Sequence, residues 1–202
     1  MPWHKQFDVD ETLEKATEIF WTRGYQATSM RDLLDAMGIQ KGSFYNAYGS
    51  KHEVYLKALE QYNVATSGRM RETTAGRSGL DALRVFFEAI YEDCISPSGH
   101  KGCMVINCAL ELAHHDREAQ AIVKRAIAGT EEALRGFILD GQRSGEIRAG
   151  LDADATAKAM MSLIMGMRVY SRSGSDPGAV RTLANQAIHL VTAQQPDTGP
   201  AA

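Results

Sequence analysis

The stretch GIQKGSFYNAYGSKHEVYLKAL, Gly38 to Leu59, packs small residues, three aromatic rings and two lysines ahead of its first acid, Glu53. Gly38 and Gly49 bracket a helix of about two turns, Gln40 to Tyr48, with Phe44 and Ala47 or Tyr48 turned inward. Ser50 to Glu53, SKHE, matches the S-x-x-E capping box and opens a further helix through Val54, Leu56, Ala58, Leu59 and Tyr62. Upstream, Met30, Leu33, Leu34 and Met37 share one helical face that Thr28 is placed to cap and Gly38 ends. A first helix carries Val9, Leu13, Ala16, Ile19 and Phe20, with Asp10 as its expected N-cap and Gly24 as its stop. The second and third helices are thus joined by a few residues around glycine, which is the helix-turn-helix layout.

Beyond Leu59 the apolar spacing stays helical. One compositional break, TSGRMRETTAGRSG at 66–79, marks the expected domain boundary. Leu80, Leu83, Phe87, Ile90 and Cys94 define a helix closed by SPSG, and Cys103, Ile106, Leu110 and Ala113 define another. Asp116 caps a long helix through Ala119, Ile122, Ala126, Leu134, Phe137 and Ile138, and two more follow near 152–171 and 177–193. The expected fold is all-α with about nine helices, divided into an N-terminal three-helix unit at 8–62 and a larger bundle at 76–195.

The formal net charge of −3 gives no overall basic field, and residues 1–62 carry seven Lys/Arg against nine Asp/Glu. Charge is unevenly placed, however: from Ala36 to His52 there is no acid, while Lys41 and Lys51 remain. A local surface of that kind suits a polyanion better than the total suggests. The start MPWHKQFDVDE lacks the apolar core of a signal peptide, and the longest apolar run, near 159–167, is too short to cross a bilayer. Three cysteines without framework spacing fit a reducing compartment, so a cytoplasmic location is expected. Neither G-x-S-x-G, H-E-x-x-H nor a phosphate-binding loop occurs, so no catalytic residues are assigned. His114 and His115 point about 100° apart on a helix, a poor arrangement for one metal, and neither a metal site nor a cofactor is expected.

From Ala16 to Leu59 the chain resembles the DNA-binding domain of the tetracycline-repressor (TetR) family. The resemblance rests on Phe20, Arg23, Gly24, Tyr25, Thr28 and Ser29 at the entry, on GI.KGSFY, and on GSK. It implies an all-helical homodimer that binds a near-palindromic double-stranded operator and leaves it when a small molecule binds the larger domain. In that setting Gly42 lets the third helix approach DNA closely, and Lys41 and Lys51 meet phosphate. Ser43, Tyr45 and Tyr48 donate to phosphate, and Thr28 and Ser29 put helix-two amides near an anion. Gln40 and Asn46 are the side chains suited to base edges, since an amide pairs bidentately with adenine. Arg31 lies on the outer face of helix two.

For the larger domain, Phe86, Phe87, Ile90, Tyr91, Met104, Leu110, Phe137, Met161 and Met165 form the candidate effector lining, with plain core as the rival reading. By resemblance the last two helices form the dimer seam, with Leu163, Met167, Leu183, Ala187, Ile188 and Val191 as its residues. Cys103 follows His100, Lys101 and Gly102 at a helix start, where a thiol is activated, which makes it a candidate redox sensor. The alternative to the regulator is a helical small-molecule-binding protein without operator binding. The absence of acids from 36 to 52 counts against that alternative.

Overall fold

The computed structural model describes residues 7–174 and 176–192. Among these the chain is helical throughout, without a strand: α1 Val9–Arg23, α2 Met30–Met37, α3 Lys41–Tyr48, α4 Lys51–Thr73, α5 Gly79–Ile95, α6 Met104–Glu111, α7 Arg117–Ser144, α8 Ala153–Arg172 and α9 Pro177–Thr192. A single 3₁₀ turn, Gly99–Lys101, precedes α6.

Packing divides the chain into two units whose limits differ from the boundaries expected along the sequence. One gathers the chain up to Arg69 together with Lys101–Ala126; the other gathers Met70–His100 and the chain from Ile127 onward. The stretch 101–126, expected in the larger domain, therefore packs with the N-terminal helices.

In the first unit, Ala16, Phe20, Leu33, Met37, Phe44, Val54, Tyr55, Ala58 and Leu59 are buried. Each large side chain among them contributes roughly 1.5–3 kcal/mol by leaving water. α1 is capped by Asp8, which accepts the amides of Asp10 at 2.8 Å and Glu11 at 3.3 Å, rather than by the expected Asp10. Asp10 falls instead in the first turn, where its charge favours the helix dipole. α2 is capped by Ser29, not Thr28: Ser29 and Asp32 form a reciprocal capping box. Ser50 Oγ accepts the Glu53 amide at 3.1 Å, as the SKHE signature anticipates. α4 then runs on to Thr73, so the break expected over 66–79 shrinks to the few residues before α5. Gly68 and its hydroxyl-bearing neighbours are weak helix formers, and 23 residues of helix absorb them.

The second unit is built on one apolar cluster that includes Leu83, Phe86, Phe87, Ile90, Leu134, Ile138, Ile147, Met160, Met161 and Ile164. Met167, Ala187 and Val191, expected at a dimer seam, are fully or almost fully buried in this same core, where α5, α8 and α9 pack together. At the edge of the cluster, Arg168 pairs with Asp93 at 3.2 Å and Ser171 Oγ bonds the carbonyls of Cys94 and Gly99.

Candidate nucleic-acid interface

Three residues join α2 to α3, and Gly38 turns the chain there in the left-handed conformation, φ 68° and ψ 29°. Gln40 is the N-cap of α3 but makes no side-chain cap bond, so its amide is left outward and exposed. Phe44 and Tyr48 fix the inner side of α3, and the opposite side exposes Lys41, Gly42, Tyr45 and Asn46. Ser43 lies half-buried at the margin. Tyr45 keeps 44% of its surface exposed although its ring edge meets Phe44, at 5.5 Å between centroids. The result is a compact ridge that carries a cation, two amides, a phenol and a glycine, and no carboxylate.

Two residues expected on this surface are not on it. Thr28 is completely buried and its hydroxyl donates to the Gly24 carbonyl at 2.7 Å. Tyr48 is buried too, and its hydroxyl donates to the Val9 carbonyl at 2.9 Å and bonds Thr12. Both hydroxyls serve the unit's own interior. Ser29 is exposed, but Asp32 engages both its hydroxyl and its amide. The N-terminus of α2 thus already holds an anion, supplied by the chain itself. The Ser29 hydroxyl and amide, with the Arg23 guanidinium at 3.0 Å, hold the Asp32 carboxyl below its ordinary value. Arg31 is 91% exposed at its side chain and 3.8 Å from Asp35, a loose, solvent-screened pair.

Lys51, in the first turn of α4, is half-buried with its ammonium 4.3 Å from the centre of the Tyr25 ring. Burial pulls its pKa down, against the attraction of Glu111. The sequence marks Tyr25 only as part of the entry motif, and its ring also packs against Tyr55 at 4.9 Å. Glu111 belongs to no motif of the sequence, yet its carboxylate accepts the amides of Tyr25 and Gln26. Those partners lie 86 and 85 residues from it along the chain, so no local signal could reveal them.

Of the nine candidate lining residues, Phe86, Phe87, Ile90 and Met161 lie in the core of the second unit, and Tyr91, Phe137 and Met165 pack against it. Met104 is buried in the first unit. Leu110 is 72% exposed in that unit and lines no interior, which corrects its assignment. A groove of about 470 Å³ between α5 and α9 is lined by Arg84, Val85, Phe87, Glu88, Arg181, Ala184, Asn185, Ile188 and His189. Only Phe87 is common to both sets.

All three cysteines are free; Cys94 and Cys108 are buried, which pushes both thiols up, and Cys103 is half-buried at the N-cap of α6. His52, Asp116 and Glu118 bring three potential ligand atoms within 4.8 Å. Helix capping and a hydrogen bond account for that grouping, since Asp116 accepts the amides of Glu118 and Ala119 and bonds the His52 ring.

A short helix offered outward after a three-residue turn, with its opposite side locked into a three-helix core, is a DNA-reading helix-turn-helix. The profile described as bacterial regulatory proteins, tetR family, matches residues 13–58, and that of the tetracyclin repressor-like C-terminal domain matches 79–187. The chain is 33% identical over 160 residues to the uncharacterized HTH-type transcriptional regulator YezE of Bacillus subtilis, covering 77% of this chain and 80% of that protein. It is 28% identical over 188 residues to the HTH-type transcriptional repressor ComR of Escherichia coli, covering 92% and 90%. A TetR transcriptional regulator from Chloroflexus aurantiacus superposes with a TM-score of 0.84 at 23% identity, covering 92% and 94%. The regulator CifR, solved as a cysteine mutant with 26-bp double-strand operator DNA, gives 0.80 at 24%, covering 91% and 97%. The chain belongs to the TetR family of helix-turn-helix transcriptional regulators, a family of regulators and not of enzymes.

Proposed function

We propose that this chain is a cytoplasmic, homodimeric repressor that binds a near-palindromic operator and releases it when a small molecule occupies the bundle of 76–195, leaving 8–62 as its DNA-binding domain. The observation that carries the reading is the outward ridge of α3, where Gln40, Lys41, Gly42, Tyr45 and Asn46 are exposed together without an acid. Lys41, Tyr45 and Ser43 contact phosphate in this reading, with Arg31 and Lys51 at the flanks, while Gln40 and Asn46 read base edges. Among the described residues no helix is long and apolar enough to cross a membrane. The relative ComR, named a repressor, and the operator-bound CifR support repression by DNA contact.

A two-fold dimer spaces its half-sites by about one helical turn or a multiple, roughly 34–36 Å each. The seam in this reading uses Leu163 and Leu183, half-buried in the single chain, with the neighbouring exposed side chains Val169, Tyr170 and Leu190. The decisive experiment titrates the protein onto the DNA upstream of its own gene at several salt concentrations. Specific binding should fall steeply with salt, and Lys41→Ala should lower the log–log slope by about one. Binding that ignores salt, or that shows no preference for that DNA, would sink the operator reading.

A further inference from the structure

Glu111, the last residue of α6, sits within the first unit and lays its carboxylate against the connection between α1 and α2. Oε2 accepts the Tyr25 amide at 3.1 Å and Oε1 accepts the Gln26 amide at 2.6 Å. Two oxygens thus take two consecutive backbone donors, a pairing only a carboxylate can make. Gly24 makes room for it. Its φ is +86°, and a β-carbon there would lie 2.8 Å from Glu111 Oε2.

The grip reaches both ends of the helix-turn-helix. Gln26 lies three residues before Ser29, the N-cap of α2, so fixing that connection fixes where α2 begins. The Tyr25 ring lies against Phe20 and Tyr55 and beneath the Lys51 ammonium, and Lys51 opens α4 two residues after the glycine that closes α3. Gln26 is exposed, so water would satisfy its amide if Glu111 were absent. The carboxylate therefore contributes position more than rescue of a buried donor.

We infer that Glu111 is a positioning residue for DNA recognition, clamping the Gly24–Gln26 connection so that α2 and α3 are offered to the duplex in one orientation. This role rests on the operator-binding reading above. It predicts a loss of specific binding over non-specific binding, because phosphate attraction survives a tilt of α3 that misaligns Gln40 and Asn46 with base edges.

The test compares the full-length wild type with Glu111→Gln and Glu111→Ala. Glutamine keeps the volume but turns one acceptor into a donor facing an N–H, so both variants should behave alike. Each is expected to weaken operator binding by roughly tenfold, the scale of a lost charged hydrogen bond, with affinity for random-sequence DNA unchanged. The amide protons of Tyr25 and Gln26 should move upfield in ¹H–¹⁵N spectra. The inference is overturned if Glu111→Gln binds operator as the wild type does, or if operator and random DNA lose affinity in equal proportion. A wild type with no operator preference would overturn the regulator reading itself, and that control separates the two failures.

Discussion

Gly42 stands in the first turn of α3 with ordinary helical backbone, and a β-carbon there would meet nothing within 4 Å. The fold does not require this glycine, which costs the helix roughly 0.5–1 kcal/mol relative to alanine. Gly42→Ala should therefore raise the urea midpoint while weakening operator binding, since the methyl group intrudes where the backbone nears DNA. Unchanged affinity in that variant would mean that the glycine serves no close approach. Asp116 gives a pH prediction of definite sign. Burial favours its neutral form, but the amides of Ala119 and Glu118 and the pairing with His52 outweigh it, and its pKa is lowered. A lowered carboxyl contributes stability above its unfolded value, near 3.9, that is lost as pH falls through the folded one. Asp116→Asn should flatten the acid side of stability below about pH 4, read by denaturant melts at stepped pH.

At the scale of helices, α3 is legible because glycines bracket it and its apolar residues fall four apart. Its missing cap is legible as well, since Gln40 stands where a hydroxyl would bond. Gln40→Ser should supply that cap and stabilise by about 0.5–1 kcal/mol, yet lower discrimination between operator and mutated operator if the amide reads a base. Calorimetry and competition titrations would report the two effects separately. Other features are readable but easily misplaced: Ser29 and Asp32 have the capping-box spacing, but Thr28 beside them is a favoured cap residue too. What separates the two is burial of Thr28, a tertiary matter. The Tyr48 hydroxyl is in the same position, because its partner Thr12 is 36 residues away and local pattern gives only its inward ring. α8 and α9 are apolar on more than one side, so spacing could not say which side meets the chain's own core. The interior took Met167, Ala187 and Val191. Leu110 belonged to a helical stripe that the neighbouring helices did not cover.

For the whole molecule the exposed ring of Tyr170, 45% accessible on α8, belongs to the outer side proposed to meet a second copy. Tyr170→Glu leaves the core untouched and should yield monomers by analytical ultracentrifugation, with operator affinity falling by orders of magnitude as one half-site is lost. A dimer that survives that charge, as well as a charge at Val169, would move the seam elsewhere. The stretch 101–126 clusters with helices coded before residue 70, a grouping that chain order alone does not reveal. Contacts such as Trp21 Nε1 to the Gly102 carbonyl at 2.9 Å carry no trace in local spacing. The bond from Tyr48 to the Val9 carbonyl has a practical side. It moors the start of α1 to the last turn of α3, so a substitution that frays the first turn of α1 would loosen the reading helix as well.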